Sequence, residues 1–194
     1  MQTKADFLHT LRIQTSPHHT ALETLALSKK LTSEDLTMKD YTQYLLLMRD
    51  IIMKVEQKIF PLVTHLINDI DQRRKLPLIE SDLQLLNVSF NTQSHFDCDV
   101  SNVANAMGVM YVIEGSALGG RVILKNVQHT LKITEASGAS YFAGYKDYTS
   151  EKWKNFLGML IEYEKRTSSA LDIIVGANTT FKNIYNFMNK NTPE

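Results

Sequence analysis

The chain has 194 residues, 43% of them hydrophobic and 22% charged, which is enough apolar side chain to bury a core and too much to leave most of it disordered. Lysine plus arginine equal aspartate plus glutamate at 21 each, so no global field draws the chain to nucleic acid or to an anionic membrane, and neither is expected as a partner. The length fits one domain over residues 1–194, and the lone Cys98 can make neither an internal disulfide nor a Cys/His zinc cluster, which points to a reducing, cytoplasmic setting.

Lys4, Asp6 and His9 interrupt the N-terminal stretch where a signal peptide would be apolar. No uninterrupted apolar run reaches the roughly 18 residues of a membrane span. A short helix is expected over residues 6–14. A second should start at Ser16 and Pro17, a cap residue followed by one preorganised for a first turn, and carry His18, His19, Leu22, Glu23 and Ala26.

From Thr37, Tyr41, Tyr44, Leu45, Met48, Ile51, Ile52, Val55 and Ile59 trace one helical face. Thr37 and Asp40 stand in the positions of a capping box, and Pro61 ends the pattern. Residues 83–99 read as mixed loop and helix. A long helix interrupted at its middle is expected over 100–131, and stripes over 150–166 and 171–189 give two more helices. No stretch alternates with period two, so the fold class is all-α.

The segment Glu114-Gly115-Ser116-Ala117-Leu118-Gly119-Gly120 places three glycines inside an otherwise helical pattern, each costing about 1 kcal/mol relative to alanine. Gly115 and Gly119 share a face, where missing side chains would let a flat ligand approach the backbone. A close helix crossing, or a plain break between two helices, is the alternative. On the N-terminal helix, His19 and Glu23 are four apart. A carboxylate that fixes one imidazole nitrogen leaves the other free for a metal, although adjacent histidines on an amphipathic helix are more often one buried and one exposed.

Other chemistry finds little support. Cys98 lies among acidic residues that would raise a thiol pKa, and neither a GxSxG nor a P-loop motif is present. No glutamate carries the Glu-x-x-His spacing of a helical di-iron site. Tyr41, Tyr44, Met48 and Met53 read as core, and Arg73-Arg74-Lys75 as a solvated turn.

With these residues in view, the chain resembles the heme oxygenase family, and bacterial members that accompany phytochrome photoreceptors in particular. Leu11 to Glu23 is similar to the family's proximal segment, with a threonine four before the heme-ligating histidine and a glutamate four after, which selects His19. Val109 to Gly120 resembles the glycine-rich distal helix, and Tyr141 to Tyr145, Trp153 and Ala177 to Phe181 resemble the C-terminal half.

The resemblance implies a single-domain helical bundle holding heme between a proximal helix and a kinked distal helix. His19 would be the axial ligand, oriented by Glu23, and Gly115, Ser116, Gly119 and Gly120 the catalytic distal wall. Arg12, Tyr111 and Lys154 would hold the propionates, and Phe181 would be a pocket wall. Heme would be both cofactor and substrate, opened by O2 and external electrons to biliverdin, carbon monoxide and iron. The electrons would come from a ferredoxin or a flavoprotein reductase, since no flavin or nicotinamide fingerprint is present. A bacterial phytochrome is a possible recipient of the bilin.

The chain departs from mammalian-type members at three positions. Ser116 stands where they carry an aspartate, Ile52 where a tyrosine faces it, and Leu157 where an arginine holds propionates. A non-catalytic heme or bilin binder of the same fold is therefore one rival reading, and a helical interaction protein that binds no tetrapyrrole is another.

Overall fold

The computed structural model describes residues 4–91 and 93–192; Met1–Thr3, Thr92, Pro193 and Glu194 lie outside the described residues. Its α-helices run, in chain order, α1 Lys4–Thr24, α2 Ala26–Lys30, α3 Met38–Lys58, α4 Phe60–Val63, α5 Leu76–Leu85, α6 Val103–Leu131, α7 Ser140–Ala143, α8 Thr149–Thr167 and α9 Ala170–Asn191. Short 3-10 turns lie between them, and no strand occurs among the described residues.

Local signals set most boundaries. The Thr37 hydroxyl accepts from the Asp40 amide at 3.2 Å while the Asp40 carboxylate accepts from the Thr37 amide at 3.1 Å, so the capping box closes as expected. Asn102 caps α6 by accepting from the Asn105 amide at 2.8 Å. The α5 N-terminus is capped from another helix, with the buried Glu56 of α3 accepting from the Lys75 and Leu76 amides at 2.6 and 2.9 Å.

Two helix expectations are corrected. The first two helices are one, with Pro17 inside α1. Proline removes a single hydrogen bond there, on a solvent-facing position, and the long packing of α1 against α9 carries the helix through it. The glycines likewise do not interrupt α6, which is helical from Val103 to Leu131.

α6 is also long and apolar enough, by length and composition alone, to cross a bilayer, although no uninterrupted apolar run marks it. It is the central helix of the core, with 44% of that stretch buried inside the fold. Its most extensive contact is with α9, which in turn packs on α1. That crossing depends on two glycines. A methyl group on Gly108 would stand 2.2 Å from the Ile173 carbonyl oxygen, and one on Gly176 would stand 2.3 Å from that of Asn105. Backbones can touch here only because both side chains are missing.

Candidate functional site

On α1, Arg12, Thr15, His19 and Glu23 share one face. Thr15 is buried and donates to the Leu11 carbonyl at 2.8 Å. His19 is 59% exposed. Its ring meets the edge of Phe181 on α9 at 5.8 Å between centroids, and its Nδ1 lies 3.7 Å from Glu23 Oε2. That is an ion-pair distance rather than a hydrogen bond, and it leaves Nε2 unused. One turn before Phe181, the buried Asn178 Oδ1 has no hydrogen-bond partner among the described residues.

On α6, Tyr111 is the link to α1. Burial pushes its phenol above the ordinary value, opposed by the nearby Thr15 hydroxyl and Arg12 guanidinium. Tyr111 also packs on Trp153 of α8, 5.5 Å between centroids, and Trp153 in turn lies 3.6 Å from where a methyl on Gly115 would stand. The structure thus brings Arg12, Thr15, Tyr111, Trp153 and Gly115 together. Lys154 is exposed, and no contact joins it to this group among the described residues.

Further along the same face of α6 the surface opens. A methyl on Gly119 would meet nothing within 4 Å, and Leu118 and Val122 are 41% and 63% exposed. Large apolar side chains beside bare backbone form a flat, unpartnered wall. Gly120 points elsewhere: a methyl there would press on the Phe142 carbonyl oxygen at 3.1 Å, so this glycine serves packing against α7.

The opposite face of α6 is closed by a cluster that the sequence reading missed. Glu114, 1% exposed, receives Arg73 Nη1 at 2.5 Å, Lys75 Nζ at 2.6 Å and the Tyr145 hydroxyl at 2.8 Å. Arg73 is also gripped by Asp69, which Lys152 pairs at 2.7 Å. Burial disfavours the Glu114 carboxylate, but Lys75 and Arg73 hold its pKa below the ordinary range, while Glu114 and Tyr145 hold Lys75 above its own against the same burial.

The solvated turn expected at Arg73-Arg74-Lys75 is therefore wrong for two of its three members. The 3-10 turn Ile70–Arg73 ends in an extended Arg74, so Arg73 and Lys75 point inward and only Arg74 faces solvent. A glutamate in the apolar stripe of α6 was the available signal, because a buried carboxylate needs cations.

The core assignment of Tyr41, Met48 and Met53 holds, and Cys98 is buried, its thiol pushed up to about 12 chiefly by that burial, which suits no nucleophile. Ile52 is a buried core residue, and Leu157 packs partly buried against the core.

These features fit a flat, apolar-faced macrocycle with acidic substituents and a metal that takes imidazole. The groups that could hold it are bare Gly119 with Leu118 and Val122 as a wall, the free Nε2 of His19 as a ligand, and Arg12 with Tyr111 as cationic and hydroxyl donors. Comparison with known proteins points the same way.

Residues 93–190 match the family model for heme oxygenase, and the chain belongs to that family. A heme oxygenase of Xanthomonas campestris pv. campestris (strain 8004) is 27% identical over 113 residues, which is 58% of this chain and 66% of the length of that relative. The fold is similar to that of a heme oxygenase from Neisseria meningitidis, with a TM-score of 0.81 at 19% identity over 95% of this chain and 91% of that one. It is also similar to one from Leptospira interrogans, with a TM-score of 0.77 at 18% identity over 95% and 98%.

Proposed function

We propose that this chain is a single-domain heme oxygenase over residues 1–194 that cleaves heme to biliverdin, carbon monoxide and iron, using O2 and electrons from a separate ferredoxin or flavoprotein reductase. The observation that carries the reading is the open face of α6 at Leu118, Gly119 and Val122, in a chain whose α1 presents an exposed His19 with its Nδ1 beside Glu23. A cytoplasmic setting agrees with the single buried thiol.

When bound, heme supplies the iron that activates oxygen and the ring that is opened. The protein's part is to bind and orient it. His19 offers Nε2 to the iron, with the Glu23 carboxylate beside its Nδ1 and Phe181 restricting the imidazole from its edge. Arg12 and Tyr111 meet the carboxylates at one margin, with Lys154 as a further cation on α8. Gly115 and Gly119 let the ring approach the α6 backbone, whose wall excludes bulk water, and Ser116 stands where a proton is delivered. The bilin product suits transfer to a bacterial phytochrome.

A non-catalytic heme or bilin binder is the second reading, favoured by Ser116 in place of an aspartate and by the buried, apolar Ile52. Addition of hemin and then ascorbate in air decides between them. The enzyme gives a heme spectrum that is lost in His19→Ala and that decays to a bilin spectrum in wild type. A stable heme spectrum supports the binder, and no uptake of hemin overturns both.

A further inference from the structure

Asp82 on α5 is fully buried and has no ion-pair partner among the described residues. It holds the start of α7 instead. One carboxylate oxygen accepts from the Ser140 amide at 2.9 Å and from the Ser140 hydroxyl at 2.8 Å, and the other accepts from the Tyr141 amide at 2.8 Å. Burial raises the carboxyl pKa, opposed by those two amides. Burying a charge without a cation is costly, and here the return on that cost is the placement of one short helix.

α7 spans four residues, Ser140–Ala143, too few to hold a helical turn without outside partners. Asp82 supplies them at its first two amides, and the Tyr41 hydroxyl fixes the entry by donating to the Gly138 carbonyl at 2.8 Å. The far end of α7 meets α6. A methyl on Gly120 would stand 3.1 Å from the Phe142 carbonyl oxygen, and one on Gly144 would stand 3.9 Å from the Ala117 Cβ. At about 100° per residue, the midpoint of Ala117 and Gly120 lies roughly 130° around α6 from Gly119. α7 therefore backs α6 at the turn of the open wall, from the side away from it. α5 packs on α3 and α7, so Asp82 reaches α6 through α7.

We propose that Asp82 is a positioning residue for the heme site: by fixing the first turn of α7 it sets how far the bare backbone at Gly119 stands from His19. The inference rests on the heme oxygenase reading and adds to it a control on the spacing of the two helices that would hold the ring. Gly119 has no side chain to make up for a shift of its backbone, so a small movement of α6 changes how closely amide and carbonyl dipoles approach a ligand on the iron. Asp82→Asn keeps an oxygen that can accept from one of the two amides, whereas Asp82→Ala keeps none. The asparagine variant should therefore displace α7 less than the alanine one.

The test pairs amide hydrogen exchange of the heme-free protein with the C–O stretching band of the ferrous carbon monoxide complex, for wild type, Asp82→Asn, Asp82→Ala and Gly120→Ala. The Ser140 and Tyr141 amides should exchange about a hundredfold faster in Asp82→Ala and less so in Asp82→Asn, while α9 stays protected. The C–O band should shift or broaden in both, more in the alanine variant, where hemin should also bind about tenfold more weakly. Gly120→Ala presses on Phe142 from the α6 side and should move the same band without loosening Ser140 and Tyr141. A loss of stability alone leaves the band of the folded complex in place. Asp82 variants that loosen α7 yet keep the wild-type band and hemin affinity overturn the proposal, as do variants whose α7 amides stay as protected as in wild type. If Asp82→Ala does not fold, Asp82→Asn and Gly120→Ala decide by the same band. Failure of wild type to take up hemin overturns the heme reading itself and the proposal with it.

Discussion

Two faces of α6, a few residues apart, are built on opposite principles. Glu114 is sealed and paired, with two cations and a phenol converging on its carboxylate. At Gly119 a methyl would meet nothing within 4 Å, and the leucine and valine side chains beside it face outward. A fold that satisfies one face so fully and leaves the other bare offers the second to a ligand.

The largest effect expected from breaking this contrast lies on the sealed face. Glu114→Ala leaves Arg73 and Lys75 buried without their shared partner and should cost about 3–5 kcal/mol in chemical denaturation. Gly108→Ala should cost about 1–3 kcal/mol in the same assay, because its methyl would enter the backbone of α9.

The cluster also sets a pH profile. The folded pKa of Glu114 is lowered, so its contribution is complete above the ordinary carboxylate value and is lost as pH falls through the folded one. That of Lys75 is raised, so its contribution is complete below the ordinary lysine value and is lost as pH rises through the folded one. Thermal midpoints of wild type should fall at both extremes, and the gap between wild type and Glu114→Gln should be widest near neutral pH and shrink toward acid.

The smallest change has the opposite sign. Gly119→Ala meets no neighbour and should stabilise the heme-free protein by up to about 1 kcal/mol while weakening hemin binding. Calorimetry with and without hemin checks both halves.

Much of the fold was legible because its signals are local. The Thr37 capping box, the stripe of α3 and the stripes of α8 and α9 each lie within a few turns of chain. Pro17 misled because the packing of α1 on α9 is a long-range contact that outweighs one lost hydrogen bond. On the open wall, the spacing of His19, Glu23, Gly115 and Gly119 was readable since each pair lies on one helix. The sealed face was not, because Arg73, Lys75, Glu114 and Tyr145 come from four separate segments, and a basic run gives no sign of which members turn inward. The glycines showed the same limit: a close helix crossing does exist, but at Gly108 and Gly176 rather than at Gly115 and Gly119.

The most direct test of the open wall is a hemin titration of Gly119→Leu beside wild type, followed at the Soret band with stability measured in parallel. The first carbon of a side chain there meets nothing within 4 Å, so the account predicts a protein at least as stable as wild type that no longer gives the His19-dependent heme spectrum. A Gly119→Leu protein that takes up hemin with wild-type affinity and spectrum would contradict it.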